Sequence, residues 1–225
     1  MRSTELFVGE HPAAAFGMSY HRHVGISLNP ESLVRDVIVV GASAGGIRAV
    51  MRILARLPAA LPAFMGVVIH RSAESTSSWS EVLGQGTKLR VVEPGDGEPL
   101  TNGSVYVAPA GCHMIFEQER VVLQRGAKEH YTRPAVDPLF NSAALAYRRR
   151  VVGVILTGGG HDGMQGLLSI TMAGGLSLVQ KPSEAQDAAM PEYAIAHDHV
   201  RAALSVDEIG DALVLLSQGR SVPLV

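Results

Sequence analysis

The stretch Asp36-Val37-Ile38-Val39-Val40-Gly41-Ala42-Ser43-Ala44-Gly45-Gly46-Ile47 decides the fold. Val37 to Val40 form a short β-branched run that stops at Gly41, the pattern of a strand buried on both faces of a sheet. After the glycine turn, Ile47, Val50, Met51 and Leu54 recur at i, i+3, i+4 and i+7, the spacing of a helix that lays one face on such a sheet. Pro58 and Pro62 end that helix. Strand, tight turn and helix together open a parallel α/β architecture.

The alternation continues outward. Val67-Val68-Ile69 reads as a second buried strand, Ser75 to Gln85 as a short helix carrying Trp79, Val82 and Leu83, and Leu89 to Val92 as a third strand. The middle differs in kind. Val105-Tyr106-Val107, Met114 to Glu117 and Arg120 to Gln124 are strand-like pieces joined by short polar links such as Gln118-Glu119, which predicts an inserted antiparallel hairpin. Helix and strand then return as Val136 to Tyr147, Val151 to Leu156, Met164 to Ala173 and Leu176 to Val179. Ser205-Val206-Asp207-Glu208 is a capping-box pattern and opens a helix that turns Val206, Ile209, Leu213 and Leu216 inward. The expected fold is therefore a doubly wound, mostly parallel sheet with helices on both faces and the hairpin as an insertion. Residues 1–35, with Pro12, His11, His21 and His23, lack periodicity and read as an irregular N-terminal extension, leaving residues 36–225 as one domain.

Composition narrows the function classes. The 225 residues are 47% hydrophobic and 18% charged, too apolar for a disordered chain. A net charge of −2, with no long run of either sign, gives no electrostatic footprint for nucleic acid. The single cysteine, Cys112, excludes an internal disulfide framework and Cys-rich metal sites, and fits a reducing cytoplasm. No apolar run approaches the ~20 residues of a membrane span. A soluble, cytoplasmic protein without direct membrane insertion is expected; the sequence leaves the oligomeric state open.

In a doubly wound sheet, ligands sit beyond the carboxyl ends of the strands, so the residues that end each strand are the candidates for chemistry. The first strand ends in Gly41-Ala42-Ser43-Ala44-Gly45, a G-x-S-x-G sequence between strand and helix, which would expose Ser43 on a tight turn beside a helix N-terminus. Two other readings compete: a dinucleotide loop, weakened because Ser43 stands at the second glycine position and no acidic residue ends the second strand, and a plain turn with Ser43 as N-cap. The second strand ends at His70, on the same sheet edge, where it could serve Ser43 as general base. The strand Val154-Ile155-Leu156 opens into Thr157-Gly158-Gly159-Gly160-His161-Asp162-Gly163; Asp162 could orient His70, His161 is a rival base, and a His-Asp metal site is a further reading. It lacks the His-x-Glu, His-Glu-x-x-His or cysteine partners that would support metal. The order Ser43, His70, Asp162 differs from that of the α/β-hydrolases, in keeping with triads being defined by geometry rather than order.

Gly41 to Gly46, His70, Val105-Tyr106-Val107-Ala108-Pro109 with His113-Met114, Arg133-Pro134-Ala135-Val136-Asp137-Pro138-Leu139-Phe140, Val154 to Gly158 through Asp162-Gly163, and Met190-Pro191 resemble, in this order, the catalytic domain of the CheB protein-glutamate methylesterases. The resemblance runs from residue 37 to about residue 216. It implies hydrolysis of methyl esters on glutamate side chains of chemoreceptor cytoplasmic helices, with methanol released and glutamine deamidation as a second activity. It further implies Ser43 as nucleophile, His70 as general base, Asp162 as its orienting carboxylate, and the backbone N–H groups of Ala44 and Gly159 as the oxyanion site. Neither a cofactor nor a metal is implied.

The sequence departs from the family pattern at Ala44, where Thr is common, at Gly159, where Met is common, at Arg71-Ser72, which replace an apolar residue and Pro, and at His161, where Asn is usual. A typical member also carries a receiver domain ahead of the esterase, and residues 1–35 are too few to form one. These departures keep two alternatives in view: a non-catalytic or weakly catalytic signalling and binding protein on the same fold, and a small-molecule serine esterase.

Overall fold

The computed structural model describes residues 33–72, 74–75, 77–197 and 200–222. Nearly all of the expected N-terminal extension lies outside the described residues. The chain is picked up just before β1 (Val37–Ala42), where the Arg35 N–H donates to the Leu216 carbonyl at 3.0 Å. α1 (Gly46–Arg56), β2 (Phe64–Ile69), α2 (Trp79–Gly84), β3 (Arg90–Val92) and β4 (Ser104–Val107) follow. Next come β5 (His113–Glu117), β6 (Arg120–Gln124), α3 (Val136–Tyr147), β7 (Val151–Ile155), α4 (Met164–Met172), β8 (Leu176–Gln180), α5 (Ala189–His197), β9 (Ala202–Leu204) and α6 (Val206–Ser217).

Among the described residues seven strands form one sheet in the order β3-β4-β2-β1-β7-β8-β9, every pairing parallel, while β5 and β6 form a separate antiparallel ribbon. From β1 the chain winds outward through β2 on one side; from β7 it winds outward through β8 and β9 on the other. The winding direction reverses between β1 and β7, and the crevice that opens there is the binding position of doubly wound sheets.

Both faces of the sheet are covered. Ile38, Val40 and Ala42 of β1 face a core shared with Val50 and Ile53 of α1, Leu83 of α2 and Leu213 of α6; Val37 and Val39 face the opposite core, shared with Leu139 and Phe140 of α3, Leu167 of α4 and Met190 of α5. Every residue of β1 is buried, and each fully buried Val or Ile contributes about 1.5–3 kcal/mol relative to exposure, which explains an uninterrupted apolar run in place of alternation. The β5–β6 ribbon lies over the second core, where Phe116 meets Phe64 and Tyr106 edge to face.

Two expectations need correction. Val105-Tyr106-Val107 belongs to the main sheet and not to the antiparallel insertion: β4 is buried throughout and pairs in parallel with both β2 and β3, so the ribbon consists of β5 and β6 alone. The helix expected from Ser75 begins only at Trp79, with Ser78 as N-cap accepting from the Glu81 N–H. The capping box at Ser205 and Glu208 is formed as expected.

Candidate active site

Three strand ends converge. In β1 and β2, Ala42 and Ile69 are register partners, and the His70 N–H donates to the Ala42 carbonyl at 3.0 Å, so Ser43 and His70 leave the ends of adjacent strands side by side. On the other side of β1, the Ser43 N–H donates to the Thr157 carbonyl at 3.0 Å, which fixes the loop after β7 against the serine turn. Ser43 is half-buried and lies two residues before the helix N-cap, which is Gly45 with φ 79°. The N-cap reading of Ser43 therefore fails; its side chain has no hydrogen-bonding partner among the described residues and is free to act.

Asp162 is 3% exposed, and its Oδ2 lies 2.7 Å from His70 Nε2. The same oxygen accepts the Val136 N–H at 2.7 Å, and Oδ1 accepts the Asp137 N–H at 3.1 Å. The carboxylate thus sits on the N-terminus of α3, where free N–H groups and the positive dipole end favour an anion. Burial is the largest single influence and would raise its pKa, but the bonds from His70 and from the two backbone N–H groups, with the nearby His70 charge, outweigh it and hold the carboxyl below its ordinary value. With Nε2 committed to Asp162, Nδ1 is the ring nitrogen left for Ser43.

The backbone N–H groups of Ala44 and Gly159 lack a protein acceptor among the described residues, as do those of Gly45 and Gly160 beside them. Around them the Ser43 N–H donates to Thr157, the Gly46 N–H to Ser43 and the Gly158 N–H to Asp187. Gly158 admits no side chain: an added Cβ would lie 2.4 Å from Met190 Sδ and 2.6 Å from Ser43 Cβ.

A lattice of polar groups behind the turn escaped sequence reasoning. Thr157 Oγ1 donates to the Ala44 carbonyl at 2.9 Å and accepts the Asp187 N–H at 2.9 Å, while the Thr157 N–H donates to Gln180 Oε1 at 2.9 Å. These residues tie together the segments after β1, β7 and β8. A threonine ending a buried strand was the only available signal.

A second His-Asp pair also went unforeseen. His130 Nε2 lies 2.8 Å from Asp137 Oδ2 and 3.9 Å from Asp162 Oδ1, and Asp137 Oδ1 accepts the Gly166 N–H at 2.7 Å. Burial raises the Asp137 pKa, the bond from Gly166 offsets part of that, and the adjacent Asp162 charge raises it further. His130, Asp137 and Asp162 bring three donor atoms within 4.8 Å of one another. The 2.8 Å His130–Asp137 spacing is that of a direct hydrogen bond, shorter than the about 3.3 Å that separates two ligands on a tetrahedral zinc. His161, the rival base, is exposed and outside this group; its ring lies 5.0 Å from that of His130 and 5.4 Å from that of Tyr193.

The sequence profile of the CheB methylesterase family matches residues 38–213. The chain belongs to that family. A crystal structure of the Thermotoga maritima CheB methylesterase catalytic domain superposes with a TM-score of 0.76 at 31% identity, over 81% of this chain and 98% of that one. A protein-glutamate methylesterase/protein-glutamine glutaminase of Symbiobacterium thermophilum is 38% identical over 184 residues, 81% of this chain and 51% of its own. One of Anaeromyxobacter dehalogenans is 40% identical over 178 residues, 79% of this chain and 52% of its own. The CheB-type chain described here therefore spans about half the length of those two relatives. No described helix is long and apolar enough to cross a membrane.

Proposed function

We propose that this chain is a cytoplasmic protein-glutamate methylesterase, acting on methylated glutamate side chains of chemoreceptor cytoplasmic helices and, as in the names of its relatives, on glutamine side chains as well. The observation that carries the reading is the 2.7 Å bond between His70 and a buried Asp162, on the strand end next to Ser43.

In the first step His70 Nδ1 takes the Ser43 hydroxyl proton as Oγ attacks the ester carbonyl. Asp162 accepts the Nε2–H, fixes this tautomer and stabilises the imidazolium. Ala44 and Gly159 N–H groups receive the oxyanion; neither has another acceptor among the described residues. His70 then returns its proton to the methoxide oxygen, and methanol leaves a glutamyl ester on Ser43. Water, deprotonated by His70, attacks that ester; the serine oxygen recovers the proton and the free glutamate carboxylate departs.

The test is mass spectrometry of a methylated chemoreceptor cytoplasmic fragment after incubation with wild type or Ser43→Ala. The expected result is loss of one CH₂ per site with wild type only. Equal loss with both proteins would overturn the nucleophile, and hydrolysis of simple esters without any loss from the receptor would overturn the substrate.

A further inference from the structure

We propose that the cavity beside His70 is a subsite for a free carboxylate on the substrate polypeptide, so that an ionised glutamate near the methylated one is recognised by Arg133 and Lys128. The cavity holds about 320 Å³ and is lined by His70, Arg71, Glu74, Lys128, Tyr131 and Arg133 among others. It includes the histidine that Asp162 orients, so a group bound there lies on the same sheet edge as Ser43.

Its cations differ in how far the fold has used them. Arg71 is almost fully buried and is committed: it pairs with Glu93 at 3.0 Å, donates to the Ala108 carbonyl at 2.8 Å and lies over the Trp79 ring at 5.0 Å. Arg133 donates to the Gly126 carbonyl and has no carboxylate partner among the described residues; Lys128 has none either. Glu74, exposed, is the one acidic side chain among the described residues lining the cavity and pairs with neither. The Nε atoms of Arg71 and Arg133 are buried without any hydrogen-bond partner, and both arginines line this cavity. Beyond that buried Nε, the Arg133 guanidinium has N–H donors with no carboxylate partner among the described residues, and a carboxylate is the acceptor that matches their charge and planar geometry.

The backbone next to the cavity is also specialised. Glu129 and Thr132 bridge each other around His130 with φ 48° and Tyr131 with φ 63°, a two-residue turn in the left-handed region that non-glycine residues rarely occupy. The turn sends His130 inward to Asp137 and leaves Tyr131 95% exposed at the cavity mouth, an aromatic surface for an approaching helix.

The inference rests on the esterase reading for its substrate, and the experiment separates the two. Two helical peptides carry one glutamate methyl ester each, with a free glutamate one turn away in the first and glutamine in its place in the second. The ratio of their kcat/KM values is measured for wild type, Arg133→Gln and Lys128→Gln, and the affinity of both peptides for Ser43→Ala is measured by fluorescence anisotropy. Wild type should favour the free-glutamate peptide about tenfold or more, falling with added salt. The ratio should drop towards one in Arg133→Gln and part of the way in Lys128→Gln, which also serves if the arginine variant does not fold. A wild-type ratio near one, or a ratio unchanged in the folded variants, overturns the subsite. If neither peptide is demethylated but Ser43→Ala still binds the acidic one more tightly, the subsite stands and the esterase reading falls.

Discussion

Two His-Asp pairs lie side by side in this molecule and are not equivalent. His70–Asp162 and His130–Asp137 have Nε2–Oδ2 spacings of 2.7 and 2.8 Å, and both aspartates are buried. Asp162 rests on the N-terminus of α3 with two backbone donors besides histidine and is held ionised. Asp137 has one backbone donor and the Asp162 charge for a neighbour, and its carboxyl is raised. Only the first pair ends on a strand next to a serine. Hydrogen bonding between imidazole and carboxylate is thus common to both; what separates them is the sheet edge, which places a serine beside one and none beside the other.

The largest effect should come from removing that serine hydroxyl, the proposed nucleophile. Ser43→Ala is expected to lose at least about 10³-fold in kcat for ester hydrolysis while keeping the wild-type melting temperature, as measured by steady-state kinetics and thermal unfolding. Next is Gly158→Ala, whose methyl group would press on Ser43 Cβ and Met190 Sδ; overpacking of this kind costs about 1–3 kcal/mol in denaturant unfolding, and the displaced serine should lower kcat by an order of magnitude or more. His130→Gln should change kcat less than about tenfold, because it breaks the pair that has no serine. A loss matching that of Ser43→Ala would erase the distinction between the pairs.

The smallest effect concerns pH and stability, and its sign differs between the pairs. Asp162 is shifted below its ordinary value of 3.8, so its contribution to stability is present above that value and is lost as pH falls through the lower folded-state value. Asp137 is shifted above 3.8, so the folded state holds its proton longer than the unfolded chain and stability declines as pH rises through the window above 3.8. Urea unfolding from acid towards neutral pH should therefore show wild type gaining on Asp162→Asn below that value and losing ground to Asp137→Asn above it.

How much of this was legible in the sequence follows from the range of the forces involved. β1, α1 and α3 were readable because each is decided by burial of its own side chains, and Ser43, His70 and Asp162 because strand ends carry positional meaning in a doubly wound sheet. β4 was misplaced because three residues of β-branched and aromatic character do not say which neighbour they pair with; that is settled by the register with Met65 and Val67 of β2. β9, three residues at the sheet edge, carried too little pattern to be seen. His130 was invisible as a partner of Asp137 since the contact depends on two consecutive left-handed residues, a geometry that neither histidine nor tyrosine announces. Thr157, Gln180 and Asp187 meet only through tertiary contacts.

The most direct test sets Asp162→Asn beside Asp137→Asn on one methylated receptor fragment, with kcat/KM read for each folded protein. Both Asp162 oxygens accept N–H bonds, and asparagine offers one oxygen and one NH₂, so the substitution forces a donor against a donor at His70 or at α3. Asp162→Asn is predicted to lose on the order of 10³–10⁴-fold, and Asp137→Asn less than tenfold. Equal losses, or a larger loss in Asp137→Asn, would contradict the proposed role of Asp162 as the carboxylate that orients His70.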